Sequence, residues 1–123
     1  MTPESLKIFV KKNLGPTLAK AGFNRNKLKL MLMDEGLPFI KNWTDVIMAD
    51  PELDQYISGF ATHWYYNEML GSQVEDIYDY IHNKYPDHFI LNTEACILDG
   101  AGNGKWDYAE RYAFDIIKVS LIS

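Results

Sequence analysis

The hydrophobic residues of this chain follow a helical spacing in some segments and form short unbroken runs in others. Apolar positions recur every three or four residues after Thr2-Pro3, which predicts an amphipathic helix with Thr2 as its cap. Ala21-Gly22 predicts the end of that helix, and Gly15-Pro16 predicts a break or kink within it, because proline removes a backbone donor. Later segments with helical spacing are residues 39–49, 51–56, 73–84 and a last helix that Asp107 caps.

Three short apolar runs lie between these helices and predict β-strands at residues 29–34, 57–65 and 89–94. The third run is expected to be a buried strand that ends on a carboxylate. Alternation of strands and helices favours parallel strands joined by crossovers. Three parallel strands leave unpaired backbone on both outer strands. The fold class is therefore α/β, either a small open domain or part of a larger (β/α)₈ barrel, which needs about 250 residues.

Composition and charge narrow the class of protein. A chain of 123 residues that is 47% hydrophobic can form one domain with a core. The net charge is −5, and no basic stripe alternates with aromatic residues, so nucleic-acid binding is not expected. Residues 1–41 contain eight Lys and Arg but three Asp and Glu. This excess predicts either a basic face for an anionic membrane or partner, or ordinary solvated surface.

Few residues suggest modification or metal binding. Cys96 is the single cysteine, so the chain forms no internal disulfide and has no cysteine-based zinc motif. Asn42-Trp43-Thr44 is an N-glycosylation sequon, which makes Asn42 a candidate acceptor. The three histidines lack the i, i+4 spacing of a helical metal pair. We therefore predict neither a metal nor a cofactor.

Polar and aromatic groups end all three predicted strands: Asp34-Glu35, His63-Trp64-Tyr65 and Glu94. In a barrel these groups would gather at one mouth, where catalytic residues of such folds lie. Carboxylates facing aromatic rings suit glycoside hydrolysis, since a carboxylate can attack an anomeric carbon and a nearby Tyr or His can keep it ionised. In the alternative interpretation, Asp34 and Glu35 cap the next helix and His63 is a core histidine.

Several motifs occur together and in order: residues 14–19 (Leu-Gly-Pro-Thr-Leu-Ala), 50–52 (Asp-Pro-Glu), 57–65 (ending His-Trp-Tyr), 93–96 (Thr-Glu-Ala-Cys) and 106–107 (Trp-Asp). In this respect the chain resembles the lysosomal glucosylceramidases of glycoside hydrolase family 30. That resemblance implies a (β/α)₈ barrel and a lysosomal retaining β-glucosidase that cleaves glucosylceramide to glucose and ceramide. It also implies as partners a glucosylceramide-like β-glucoside and, potentially, a saposin-like activator and an anionic membrane surface.

The resemblance assigns roles to individual residues. Glu94 would be the catalytic nucleophile at the end of barrel strand 7, and Tyr65 and His63 would be its hydrogen-bonding neighbours at the end of strand 6. Cys96 would be the small residue behind the nucleophile, or simply a buried inert thiol. Asp34 would lie at the end of strand 5 and bind substrate or position the nucleophile.

The chain departs from the family at two points. Gly36 stands where better-known members carry a Gln that lines the site, which leaves substrate preference open. The acid/base Glu of the family lies in an Asn-Glu-Pro motif, which these 123 residues do not contain. We therefore expect residues 1–123 to be a partial barrel domain that covers about strands 5 to 7 and is inactive in isolation.

A rival hypothesis is a stand-alone, non-catalytic α/β module that binds calcium or a sugar. Residues 99–110 fit a calcium loop at positions 1, 5, 6, 9 and 12. Ala101 at position 3 removes one oxygen ligand, however, and a strand rather than a helix precedes the loop. A flexible loop at the barrel mouth is the simpler interpretation.

Overall fold

Three parallel strands with helices packed on them make up the structure, a computed structural model that describes residues 1–97 and 104–120 without the side chain of Val119. The strands are β1 (Leu30–Gly36), β2 (Ile57–His63) and β3 (Phe89–Glu94), and they are ordered β1-β2-β3 with β2 in the centre. Both pairings are parallel. The predicted alternation of helices with three parallel strands is therefore confirmed.

The N-terminal helix is continuous but changes its winding in the middle. Helix α1 (Pro3–Phe9) passes through a π-helical turn (Val10–Leu14) into α2 (Gly15–Lys20). Thr2 and Ser5 form a reciprocal capping box, so the predicted cap is confirmed. The predicted break at Gly15-Pro16 takes the form of this wide turn, which ends where Pro16 provides no backbone donor. A Cβ on Gly15 would lie 2.6 Å from the Tyr56 ring, so helix and ring pack closely.

The remaining helices are α3 (Ile40–Met48), α4 (Asn67–Leu70), α5 (Gln73–Lys84) and α6 (Trp106–Ser120). Of these, α5 has the predicted bounds, α3 differs from the prediction only at its ends, and the short α4 was not predicted. A 3₁₀ turn (Leu37–Phe39) precedes α3, and another (Pro51–Leu53) replaces the longer helix predicted over residues 51–56. Helix α6 begins at Trp106 and Asp107 lies inside its first turn, so the prediction of Asp107 as the cap was wrong by two residues.

The core lies between the sheet and the helices. Phe60 of β2 is 1% exposed, and Leu32 of β1 and Ile81 of α5 are also buried. Burying side chains of this size stabilises a fold by about 1.5–3 kcal/mol each. Buried members of this cluster are Val10, Leu32, Leu37, Ile40, Ile47, Leu53, Ile57, Phe60, Val74, Ile77, Tyr78 and Ile81.

Strand β3 is less buried than predicted. Ile90 packs against the core and Asn92 bonds to Asp115 of α6, whereas the alternating Phe89 and Leu91 are exposed. Within the described part of the chain, no strand pairs with the outer side of β3 or of β1. The prediction of a buried third strand was therefore wrong, because a strand at an edge lacks the neighbour that would cover it. No helix that the structure describes has the length and apolar character to cross a bilayer.

Candidate active site

The carboxyl ends of the three strands lie side by side and bring polar groups together. The strand register pairs Gly36 with His63 and His63 with Glu94, so these three residues form one row across the sheet. Adjacent strands are about 4.8 Å apart, so this row spans about 10 Å. The row therefore has the dimensions of a small-ligand site.

A β-bulge in β1 places Asp34 at this end of the sheet. Met33 pairs with Ala61 and Glu35 pairs with Thr62, so Asp34 is the extra residue between them. The φ angles of Met33 and Asp34 are +82° and +56°. Non-glycine residues seldom adopt such angles, although Asp tolerates them better than most. The bulge also extends β1 to Gly36, so the prediction that this strand ends at Asp34 was wrong.

His63 lies between two carboxylates. Its Nε2 is 3.2 Å from Asp34 Oδ1 and 3.9 Å from Glu94 Oε2. The His63 side chain is only 13% exposed, while those of Asp34 and Glu94 are 67% and 57% exposed. The fixed imidazole thus connects the ends of β1 and β3 through contacts to both acids.

Tyr65 makes the closest contact with Glu94. Its hydroxyl donates to Glu94 Oε1 at 2.5 Å and lies 3.2 Å from the Cys96 sulfur. These contacts with Cys96 and then Glu94 raise the pKa of the Tyr65 hydroxyl above its ordinary value of 10.0. The hydroxyl therefore stays protonated at neutral pH and can donate continuously to the carboxylate.

Thr93 is a member of this network that the sequence analysis missed. Its hydroxyl donates to Asp34 Oδ1 at 2.7 Å. This bond, followed by the contact with His63, outweighs desolvation and lowers the pKa of Asp34 below 3.8. Asp34 is therefore an ionised acceptor rather than a proton donor. The position of Thr93 next to Glu94, in the Thr-Glu-Ala-Cys motif, was the signal that the sequence offered for its role.

Aromatic residues occupy the space beside Gly36. A Cβ on Gly36 would overlap the ring of Tyr66, and that ring meets Phe39 edge-on at a centroid distance of 5.9 Å. Tyr66 and Phe39 are 38% and 44% exposed. The space that a side chain at position 36 would occupy is thus filled by the exposed rings of Tyr66 and Phe39, at the same end of the sheet.

Trp64 and Tyr112 lie behind the site. In the sequence analysis, Trp64 was counted among the groups at the strand ends but was given no role, and Tyr112 was not assigned to the site. Trp64 follows β2 and is 5% exposed, with its ring stacked on Tyr112 of α6 at 4.9 Å. Tyr112 lies in the last helix that the sequence predicted, but no local pattern identified Trp64 as its partner.

Other predicted sites are only partly covered by the structure. Asn42 is exposed on α3, whereas Thr44 of the same sequon is buried and donates its hydroxyl to the carbonyl of Ile40 at 2.8 Å. Residues 99–103 of the proposed calcium loop lie outside the described residues. Across residues 1–97 and 104–120, the acidic, histidine and cysteine side chains form no group of three or more suited to a metal ion.

Comparison with known proteins identifies the family. The glycosyl hydrolase family 30 TIM-barrel domain matches residues 1–121. The chain belongs to glycosyl hydrolase family 30. The fold predicted from the sequence, part of an α/β barrel, is confirmed by this match and by the open parallel sheet.

Named relatives of this family 30 chain are considerably longer. The chain is 41% identical over 114 residues to the Caenorhabditis elegans protein named "Putative glucosylceramidase 4", covering 89% of this chain and 21% of that protein. It is 28% identical over 121 residues to the mouse protein "Lysosomal acid glucosylceramidase", covering 94% of this chain and 22% of that protein. The chain thus spans about a fifth of the length of these relatives.

A solved structure supports the architecture. The crystal structure of SrfJ from Salmonella typhimurium superposes with a TM-score of 0.76 at 22% identity, over 95% of this chain and 25% of that chain. This likeness concerns the fold. Together with the family match, it places the polar row at the carboxyl ends of barrel strands, where barrel enzymes carry their chemistry.

Proposed function

We propose that the chain contributes the nucleophile half of a retaining β-glucosidase site, and that the complete protein hydrolyses glucosylceramide or a related β-glucoside. Membership of a glycosyl hydrolase family supports a glycosidase. The single observation that carries the proposal is the 2.5 Å contact between the Tyr65 hydroxyl and Glu94 Oε1, with His63 on the other carboxylate oxygen. Such contacts orient a carboxylate for attack.

In the proposed mechanism, a Glu94 oxygen attacks the anomeric carbon of glucose while the bond to the aglycone oxygen breaks. A general acid gives that oxygen a proton, and water later attacks the glucosyl-enzyme ester and restores Glu94. Tyr65 remains protonated and orients the carboxylate throughout.

The general acid is proposed to come from outside these 123 residues. Asp34 is the nearest alternative within the site, but its lowered pKa makes it a poor proton donor. Since a retaining mechanism needs a second carboxyl group about 5–5.5 Å from the first, the isolated chain is expected to lack turnover.

Localisation and partners form a further part of the proposal. The mouse relative is named as a lysosomal enzyme, which supports a lysosomal setting with a lipid substrate. An anionic membrane surface or a saposin-like activator would suit the basic excess of residues 1–41. Part of that excess is neutralised internally, because Lys11 pairs with Asp50 at 2.7 Å and Glu52 at 3.1 Å. Contact with a membrane would therefore depend on the other lysines, near the exposed Ile8 and Phe9.

A chimaera tests the catalytic proposal. This chain would replace the matching segment of the 41% identical C. elegans relative, and hydrolysis of a fluorogenic β-glucoside would be measured. Glu94→Gln is expected to lower kcat by on the order of 10⁴-fold or more, since the nucleophile is lost. Glu52→Gln, at the opposite end of the sheet, is the matched control and should retain activity.

Covalent labelling gives a second measurement on the same chimaera. A cyclitol epoxide that forms an ester with the nucleophile should modify Glu94, as detected by peptide mass spectrometry. Labelling at another side chain, or turnover by Glu94→Gln close to that of the parent chimaera, would contradict the proposal.

A further inference from the structure

The short segment that carries Glu94 out of the sheet, residues 94–97, is held by hydrogen bonds that its backbone both accepts and donates. The backbone N–H of Trp64 donates to the carbonyl of Glu94 at 3.3 Å, and the indole Nε1–H of Trp64 donates to the carbonyl of Cys96 at 3.1 Å. The N–H of Ile97 donates to the hydroxyl of Tyr112 at 3.1 Å. Strand β3 ends at Glu94, so residues 95–97 have no backbone partner in the sheet that the structure describes. The bonds of Cys96 to the Trp64 indole and of Ile97 to the Tyr112 hydroxyl fix this segment instead.

The two side chains that make these bonds also hold each other. The rings of Trp64 and Tyr112 stack with an interplanar angle of 15°. Arg111 of α6 places its guanidinium 5.2 Å from the centre of the Trp64 ring. Arg111 in turn pairs with Glu68 at 2.9 Å. Aromatic stacking and a cation over an indole each add to the stability of such a cluster.

Helix α6 has a second connection to the sheet, through Asp115. Its carboxylate accepts hydrogen bonds from the side-chain amides of Asn67 at 3.1 Å and Asn92 at 3.3 Å. Asn92 precedes Glu94 by two residues in β3. Helix α6 therefore contacts the chain both before Glu94, at Asn92, and after it, at Ile97.

We propose that Trp64 and Tyr112 are positioning residues, which hold residues 94–97 so that the Glu94 carboxylate meets the Tyr65 hydroxyl. The inference rests on the proposed function and adds two residues to it. Glu94 is 57% exposed, so packing of its own side chain does not fix its direction. Tyr65 and His63 can orient the carboxylate only where the backbone brings it within their reach, and catalysis tolerates misplacement of only a fraction of an ångström.

Cys96 provides a direct measure of this order. It is the single cysteine of the chain, and it is exposed, so the prediction of a buried thiol was wrong. The peptide group that joins it to Ile97 makes both bonds, accepting from Trp64 and donating to Tyr112. The rate at which an aromatic disulfide reagent modifies Cys96 in the folded 123-residue chain, at one fixed pH, therefore reports how firmly residues 94–97 hold the exposed thiol against the Tyr65 hydroxyl, 3.2 Å away. This measurement needs no catalytic activity.

Conservative variants separate the two hydrogen bonds from the rings that make them. Tyr112→Phe keeps the stacked ring but removes the hydroxyl, and Trp64→Phe keeps an aromatic ring but removes the indole donor. Each variant is expected to raise the Cys96 modification rate by roughly twofold to tenfold, the range that corresponds to loss of one hydrogen bond. Exchange of the Ile97 amide with solvent should accelerate with it in Tyr112→Phe.

Tyr80→Phe is the matched control. Tyr80 also donates its hydroxyl, to Asp45 at 2.7 Å, but this bond joins α5 to α3 and involves none of residues 94–97. A urea melt of every variant measures the free energy of unfolding, so that local opening is separated from global destabilisation. Tyr80→Phe should leave the Cys96 rate unchanged even where it lowers that free energy.

The outcomes decide the proposal independently of the proposed function. Faster modification of Cys96 in both site variants and not in Tyr80→Phe supports it. Rates equal to those of the parent chain, or rates that follow global stability in all three variants, overturn it. Failure of the proposed function would be seen elsewhere, as a chimaera in which the epoxide does not label Glu94 while the Cys96 rates still respond.

Discussion

The two ends of the sheet each contain a histidine beside carboxylates, but they use it differently. At the carboxyl end, His63 lies 3.2 Å from Asp34 and 3.9 Å from Glu94, both of which are exposed. At the amino end, His88 lies 3.1 Å from Asp54 and its side chain is 4% exposed. Its ring stacks on Phe60 at a centroid distance of 5.4 Å. One histidine thus faces a solvent-open polar row, while the other is part of the core.

The amino end ties together segments that precede all three strands. Arg25 precedes β1, Asp54 precedes β2, and His88 precedes β3. The Arg25 guanidinium donates to the backbone carbonyl of Asp87 at 2.9 Å and lies 3.7 Å from the Asp54 carboxylate. These contacts join distant parts of the chain around the buried His88 ring, although the Asp54 side chain itself is 53% exposed. The comparison indicates that the amino end stabilises the fold, while the carboxyl end keeps polar groups available for chemistry.

Two glycines test this difference most strongly. A Cβ on Gly59 would overlap the backbone carbonyl of Phe89, its partner in β3, which cannot move without separating the strands. A Cβ on Gly36 would overlap only the exposed ring of Tyr66. Gly59→Ala is therefore expected to lower the free energy of unfolding by about 3 kcal/mol, and Gly36→Ala by under about 1 kcal/mol. Urea melts of the two alanine variants measure both; equal losses would mean that the two ends are equally rigid.

The second largest effect is expected in the pH dependence of the free energy of unfolding, which should depend on His88 at the amino end. Burial, followed by the positive charge of Arg25, lowers the pKa of His88 below 6.5, although Asp54 and Asp87 oppose this. The unfolded chain therefore binds more protons than the folded chain at mildly acidic pH, so stability falls as pH falls through 6.5. For one group the slope cannot exceed about 1.4 kcal/mol per pH unit.

The His88 contribution can be isolated by substitution. Urea melts between pH 5 and 7.5 would compare the parent chain with His88→Gln, which is expected to show a shallower slope over this range. His82→Gln, on the exposed side of α5, is the matched control. If the parent and His88→Gln slopes coincide, His88 does not contribute to the acid sensitivity of the fold.

The smallest expected effect belongs to the carboxyl end. Asp34→Asn keeps a residue that tolerates a positive φ but removes the charge. Because the folded pKa of Asp34 is lowered, its contribution is present above pH 3.8 and is lost as pH falls through the folded value. The side chain is 67% exposed, so the loss at pH 7 should be below about 1 kcal/mol. A difference between parent and variant that persists at pH 2.5 would show a role unrelated to the charge.

Local patterns were sufficient to predict most of the fold. The helical spacing around Ile77 and Ile81 predicted α5 with its observed bounds, and the apolar run from Phe89 to Glu94 predicted β3. The order of elements and the parallel sheet followed from their alternation. The ends of β1 and β2 were misplaced because they depend on pairing: the bulge extends β1, and β2 stops two residues before Tyr65.

The candidate site was predicted in part, for a similar reason. His63, Tyr65 and Glu94 follow strands and carry polar groups, so their convergence could be inferred from topology. Tyr112 is 18 residues beyond Glu94 in a helix, and its bond to the Ile97 backbone leaves no mark on local sequence. The roles proposed for Glu94, His63, Tyr65, Asp34 and Cys96 remain predictions that the experiments above address.

The bulge in β1 restricts the residue types that are compatible with position 34. A residue there must accept an uncommon backbone conformation and also offer an anionic oxygen to Thr93 and His63. Glycine, asparagine and aspartate meet the first requirement, and of these only aspartate meets the second. Glutamate carries the right charge but the wrong backbone preference. Any substitution of Asp34 therefore either strains the backbone at this position or removes the anionic oxygen.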